Sequence, residues 1–543
     1  MNYSDFIFWW ILILFSVPFL TARYIAKSFN LWRGVFDEVG LAVLSLILFY
    51  YASRTSFLVF IVSLAFNYIM VWLVLKMSGW KANLLATIVI VIDILVLAYF
   101  KYFGFFVQEI IGLFVSLPPN WKELSPIPVP SQIPPGVSFY TFQMVAFVVD
   151  SLREKKKKPL AVLDYVNFIS FFPQIVAGPI ERRRDLLPQM EGFRLKFTGE
   201  NFEKGLRWLS LGLFMKFVLA DNIAPYIKLD NMIDNAWYIW FEAFLFSLRI
   251  YFDFGGYSFI AVGLAYFVGV RLELNFLAPY TSQSINEFWR RWHITLSTWF
   301  RDYVFLPLMG SNKNWAPFYL FITFTLSGFW HGAAWNFIFW GAYHGALLLL
   351  LRYLGRPFYA FVGKYVFQPQ VLLAALSLIL FYYAIRTSFL VFIVSLAFYY
   401  IMVWLVQMKW YHKWRGFASN LQEKTPQIVS WALTQLAVIF GCLFFMEVNT
   451  RRLIGKMLVI ANPFNYSLAN IAEIFSSYTL NQGAVLSVAL VLGIIVLILE
   501  HLAIAQKKFE YELLLSPWLS KILLVLTILL ASTNTGDFIY FEF

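Results

Sequence analysis

Apolar residues recur in long runs along the whole chain. Candidate membrane segments are residues 6–20, 41–51, 57–75, 84–100, 102–115, 137–149, 165–176, 208–219, 237–251, 259–270, 318–329, 334–351, 372–383, 389–406, 428–445, 485–502 and 522–530. Hydrocarbon leaves no water for backbone polar groups, so runs of this kind predict helices. The pattern predicts an all-α polytopic integral membrane protein, built as a single membrane-embedded domain over 1–543. Several runs fall short of the roughly 20 residues that a straight crossing needs. Those runs are expected to be re-entrant or shielded by other helices, leaving about 11 to 14 true crossings. Pro118, Pro119, Pro126, Pro128, Pro130, Pro134 and Pro135 crowd one stretch that cannot be a regular helix. That stretch reads as an ordered or extracytoplasmic loop.

Composition agrees: 61% of the residues are hydrophobic and only 13% charged, far from a soluble domain. The net charge of +12 would suggest nucleic acid on a soluble protein. Here the basic residues gather in loops, at 153–158 and 182–184, as the positive-inside rule requires. The expected partner is therefore the lipid bilayer and not nucleic acid. A second role for these clusters, holding an anionic cosubstrate at the cytoplasmic mouth, stays open. Cys442 stands alone, so no disulfide forms within the chain and a buried spectator is expected. The first apolar run lacks the marks of a cleavable signal. Asp5 precedes it and Arg23, Lys27 and Arg33 follow, which predicts an outside N-terminus and a cytoplasmic next loop. The expected location is a membrane that the chain crosses several times.

Residues 44–74 read LSLILFYYASRTSFLVFIVSLAFNYIMVWLV, and 376–406 repeat them with only Ser53/Ile385 and Asn67/Tyr399 changed. Such near-identity points to a copied segment, not to an old architectural symmetry. Each copy holds two apolar runs broken at Arg54 or Arg386, so inserting one pair leaves downstream topology unchanged. Residues 372–406 are expected to be an inserted copy of the 40–74 helical pair.

Five histidines occur, and no pair has the spacing of a helical metal site, so no metal is expected. A Walker A loop and a G-x-S-x-G elbow are also absent. His331 lies in Gly328-Phe329-Trp330-His331-Gly332, inside an apolar run. An ionisable group kept in hydrocarbon is functional by default, and histidine trades protons near neutral pH. A structural histidine bonded to a backbone carbonyl is the equal alternative. His293 lies in a stretch rich in Trp and Arg, 287–302, which by itself reads as an interfacial helix. His344 is thirteen residues after His331. On one continuous helix the two would point apart by about 220°, making His344 structural. His412 reads as a loop residue.

The segments 289–307 and 329–345 together resemble the membrane-bound O-acyltransferase family. The branch they resemble holds alginate and peptidoglycan O-acetyltransferases and teichoic-acid D-alanyl transferases. Further matches are Pro134-Pro135-Gly136-Val137-Ser138-Phe139-Tyr140-Thr141-Phe142-Gln143, Phe171-Phe172-Pro173-Gln174-Ile175-Val176-Ala177-Gly178-Pro179-Ile180, Tyr251-Phe252-Asp253-Phe254-Gly255-Gly256-Tyr257-Ser258 and the ending 538–543. Departures stand at Phe259, where an acidic residue is common, and at Leu308-Met309-Gly310, where Gly-Gly is common. The resemblance implies a helical bundle around a central tunnel, with short or re-entrant helices. It implies His331 as the catalytic histidine and His293 as the second histidine of the branch. Arg290, Arg291, Trp330, Asp253 and Asp302 are its candidates for donor or substrate binding. No bound cofactor is implied. Acetyl-CoA would be the donor substrate, and the acceptor an extracytoplasmic SGNH (serine-esterase-like) protein serving a polysaccharide such as alginate. Peptidoglycan O-acetylation and teichoic-acid D-alanylation are the alternatives within the branch. A transporter or lipid scramblase is the alternative outside it, and would leave the Trp-His-Gly and Arg-Trp-His motifs unexplained.

Overall fold

The computed structural model describes residues 3, 5–29, 34–54, 56–130, 133–154, 159–227, 234–361 and 410–532. The second repeat copy, positions 155–158 and the ending 538–543 lie outside the described residues. Among the described residues all regular structure is helical. In chain order the helices used below are α1 (Phe6–Ser28), α2 (Val35–Ala52), α3 (Phe57–Lys76), α4 (Gly79–Phe105), α5 (Val137–Arg153), α6 (Gly199–Leu213), α7 (Ala236–Val268), α8 (Ile285–Arg291), α9 (Ile294–Phe300), α10 (Ala316–His331), α11 (Trp335–Phe361), α12 (Trp410–Met446), α13 (Leu480–Ala505) and α14 (Pro517–Leu530). Seven stretches among the described residues are long and apolar enough to cross a membrane, drawn from α1–α4, α7, α12 and α13. Short helices of the kind expected do occur: α5 has 17 residues, most of them buried against protein. The proline-rich stretch forms one helical turn, Trp121–Leu124, and is otherwise irregular as far as it is described.

The first repeat copy becomes the α2–α3 pair, broken at Ser53 and Arg54. Its two positions that differ from the second copy are both buried, Ser53 at 4% exposure and Asn67 at 0%. Asn67 Nδ2 donates to Asp93 Oδ1 on α4 at 2.8 Å.

Helix α7 organises the bundle. The runs 237–251 and 259–270, expected as separate segments, are one helix of 33 residues. Asn235 caps its start by accepting from the Tyr238 N–H at 3.1 Å, and Gly269, at φ 85°, ends it. Two features carry the helix through Asp253-Phe254-Gly255-Gly256. Lys216 Nζ pairs with Asp253 Oδ1 at 2.7 Å and with Asp221 Oδ1 at 2.8 Å, so the carboxylate is buried but paired. Gly256 is filled by neighbouring backbone: a Cβ there would lie 2.8 Å from the Gly212 carbonyl of α6, and one on Gly212 2.7 Å from that of Gly256. Gly205 and Gly263 face each other in the same way, each Cβ falling 2.8 Å from the opposite carbonyl. Small residues on both helices let the backbones touch, which drives helix association where lipid gives no hydrophobic gain.

The same device builds the α10–α11 hairpin. A Cβ on Gly328 would lie 2.2 Å from the Phe337 carbonyl, and one on Gly341 2.3 Å from that of Phe324. The hairpin turns at Gly332-Ala333-Ala334, directly after His331.

Candidate active site

His293 lies in the interior, with 1% of its surface exposed. This corrects the interfacial reading of 287–302. The stretch is two seven-residue helices, α8 and α9, and the chain turns inward between them. His293 makes that turn with φ 41°, a backbone region costly for a residue with a Cβ. The turn is tied down by Ile294 N–H donating to the Asn275 carbonyl (2.9 Å) and Leu277 N–H to that of Arg291 (3.0 Å).

Asn275 sets the ring. The Ile180 N–H donates to Thr295 Oγ1 at 3.0 Å, and Thr295 Oγ1 donates to Asn275 Oδ1 at 2.5 Å. Asn275 Nδ2 donates to Ser258 Oγ at 3.0 Å. An amide oxygen has no hydrogen to give, so Asn275 Oδ1 can only accept. His293 Nδ1, 3.3 Å from that oxygen, is then the protonated nitrogen, and Nε2 presents a lone pair. Segments quoted separately from the sequence thus meet here: Ile180, Ser258 and His293 lie on three of them. Gly136 of a fourth, at φ 76°, sits where a Cβ would come 2.8 Å from the Ile175 carbonyl. Beside Ile180, Glu181 is 1% exposed and its Oε1 accepts the Glu273 N–H at 2.8 Å. Burial pushes that carboxyl up from 4.5 to about 8.

His331 is buried at the last residue of α10. The Trp330 ring touches both imidazoles, with centroids 6.3 Å from His293 and 4.9 Å from His331. Trp340 and Phe445 lie edge-on to His331, each at 5.1 Å. A cavity of about 30 Å³, room for roughly one water, is lined by His331, His344, Trp340, Cys442 and Phe445 among others. His344 therefore does not point away from His331. The continuous helix that this expectation assumed is broken at Gly332, and α11 brings His344 back to the same cavity. Among the described residues no hydrogen-bond partner is found for His344 Nδ1. Cys442 is buried as expected, though in the wall of this cavity.

The binding candidates separate. Trp330 is in the centre. Arg291 is spent on Glu287, Glu510 and the Leu277 carbonyl, and Arg290 is exposed; neither lines the histidine cavity. Asp253 is committed to Lys216. Asp302 pairs with Arg182 (3.2 Å) and Arg301 (2.6 Å) in the wall of a cavity of about 480 Å³. Arg153, Arg182, Arg183, Arg184, Asp150, Glu154 and Tyr303 also line that cavity, so Arg153 lies beside the 182–184 cluster. From it an aromatic column leads to the histidines. Arg182 lies 4.6 Å over Tyr303, Tyr303 is 5.3 Å from Trp299, Trp299 stacks on Phe142 at 3.8 Å, and Phe142 stacks on Trp330 at 5.4 Å. A third cavity, of about 370 Å³, lies on the α4 side of the hairpin turn, lined by Lys101, Glu109, Lys122 and Ala333 among others.

Residues 1–393 match the membrane-bound O-acyltransferase family. The chain belongs to that family. It is 36% identical over 317 residues to a probable alginate O-acetylase of Azotobacter vinelandii, covering 56% of this chain and 61% of that protein. It is 32% identical over 386 residues to a peptidoglycan O-acetyltransferase of Helicobacter pylori (63% and 70%). With a teichoic acid D-alanyltransferase of Bacillus subtilis it shares 30% over 306 residues (51% and 72%). The chain thus spans less than two thirds of the alginate relative's length.

In this member of the family, two neighbours of His331 escape a reading of the sequence. His344 returns through the hairpin turn, and only the Gly332-Ala333-Ala334 triplet hints at that break. Lys101 reaches the end of α10 from α4, and its signal is a cation inside an apolar run.

Proposed function

We propose that this chain is an O-acyltransferase of the bacterial inner membrane. It would move an acetyl group from acetyl-CoA to a hydroxyl on an extracytoplasmic SGNH-type acceptor protein, on the way to an exopolysaccharide such as alginate. One observation carries the reading: His293 and His331 are buried against the same Trp330 ring, at the meeting point of separate family segments. The basic cavity suits the donor, since its arginines match phosphate groups.

Neutral His331 takes the hydroxyl proton as the oxygen attacks the thioester carbonyl. The tetrahedral intermediate collapses, the C–S bond breaks, and the thiolate leaves and recovers the proton from His331. An ester and a free thiol result. His293 with its proton on Nδ1 offers no donor at Nε2, so the geometry favours a positioning role over stabilisation of the oxyanion. The walls of Trp330, Trp340 and Phe445 exclude water, which limits hydrolysis of the thioester.

The test is transfer of labelled acetyl from acetyl-CoA to a purified hydroxyl acceptor by liposomes holding the protein. Label in ester linkage, with one thiol released per ester formed, is the expected outcome. Passage of acceptor or lipid without ester formation would refute it.

A further inference from the structure

The last four carbonyls of an α-helix have no partner within the helix. In a membrane interior they cannot be left to water. At the end of α10 these carbonyls belong to Gly328, Phe329, Trp330 and His331. Two consecutive residues of α4 take three of them. Lys101 Nζ donates to the Trp330 carbonyl at 2.6 Å and to the His331 carbonyl at 2.9 Å. Tyr102 OH lies 3.1 Å from the Phe329 carbonyl and 3.3 Å from that of Trp330. Lys101 also sits 5.6 Å over the Trp330 ring, and the Tyr102 ring stacks on Phe329 at 4.4 Å. A cation at a helix C-terminus further gains from the helix dipole.

We infer that Lys101 is a positioning residue for His331, fixing the backbone of the histidine so that its ring keeps its place against Trp330 and the acyl-transfer centre. This rests on the reading of His331 as the base. A helix cap placed anywhere would serve stability. This cap grips the carbonyl of the histidine itself and of the residue before it. The hairpin turn follows at once, so no further helical turn lies beyond His331 to hold it. Lysine suits the task because one ammonium supplies several donors on a flexible stem. Lys101 also lines the cavity of about 370 Å³ that holds Glu109 and Lys122.

The experiment compares Lys101→Met, Lys101→Arg, Tyr102→Phe, His331→Ala and the Lys101→Met/His331→Ala double variant in liposomes, each normalised to folded protein. Lys101→Met should lower kcat on the order of tenfold to a hundredfold, the scale of a small misplacement of a reacting group. KM for the donor should stay within about twofold of wild type. Lys101→Arg should recover most of the rate, and Tyr102→Phe should lower kcat only severalfold. In the His331→Ala background, Lys101→Met should cost nothing further, because residues acting as a unit are non-additive. Wild-type kcat in Lys101→Met beside an inactive His331→Ala would overturn the inference alone. So would a raised KM at unchanged kcat, or an equal further loss in the double variant. Wild-type turnover in His331→Ala would instead overturn the reading of the base. Should Lys101→Met fail to fold, the kcat values of Lys101→Arg and Tyr102→Phe decide, wild-type kcat in Tyr102→Phe counting against the grip.

Discussion

His293 and His331 touch the same tryptophan ring, yet they are held by opposite means. His293 is oriented through its side chain: Asn275 fixes the imidazole and is itself fixed by Thr295 and Ser258. Its backbone lies in the left-handed region to allow this. His331 is held through its backbone, by Lys101 at its carbonyl, while aromatic walls bound its ring. A ring fixed by a hydrogen bond has its protons assigned in advance. A ring bounded by apolar walls beside a small cavity is placed by packing instead. The contrast is what the proposed roles rest on, proton transfer at His331 and support at His293.

The largest test of that contrast is His331→Ala. Acyl transfer should fall on the order of a hundred- to ten-thousand-fold, the usual cost of losing a general base, while insertion and folded yield stay near wild type. Next is the buried ion cluster. Lys216→Met would strand Asp221 and Asp253, a loss of about 3–5 kcal/mol for one partner of a buried pair. It should appear as a lower unfolding midpoint in detergent with KM of the surviving protein unchanged; a raised KM with normal stability would return Asp253 to substrate binding. Asn275→Ala is smaller, since unsatisfied buried groups cost about 1–3 kcal/mol. It should lower both stability and kcat, and full kcat would show that His293 needs no orientation.

The mildest test lies at Glu181. Its folded pKa, about 8, stands above the ordinary 4.5, so the folded protein binds this proton more tightly than the unfolded chain. That contribution to stability is complete below about pH 4.5 and is lost as pH rises through about 8. Glu181→Gln should flatten the decline of the unfolding midpoint across that window. An unaltered pH profile would show that the Glu181 carboxyl titrates normally.

The helices were legible because unbroken apolar runs admit few other structures in lipid. Both histidines of the centre were legible as residues, but only His331 as a buried one. The Trp and Arg around His293 carry the composition of an interface, and a single left-handed residue at position 293 reverses that meaning. Periodicity holds no trace of such a residue. The relation of His331 to His344 failed for a similar reason, because a count of residues along one helix cannot see a three-residue turn. Asp253 was visible as a polar residue in an apolar run, and its partner Lys216, 37 positions earlier in sequence, was not. Asn275 and Lys101 act through bonds to distant segments, which pattern along the chain does not encode.

The glycine contacts also restrict how the molecule can move. Gly205 and Gly212 on α6 are spaced as Gly256 and Gly263 are on α7, so antiparallel helices engage at two points at once. Two such teeth remove both sliding and swivelling between these helices, as two dowels lock a pair of plates. The hairpin of α10 and α11 is pinned in the same manner at Gly328 and Gly341. Any opening toward His331 must therefore carry the hairpin as one stiff lever or shift the segments around it, and the Lys101 grip is a bolt that such a lever would have to strain or release.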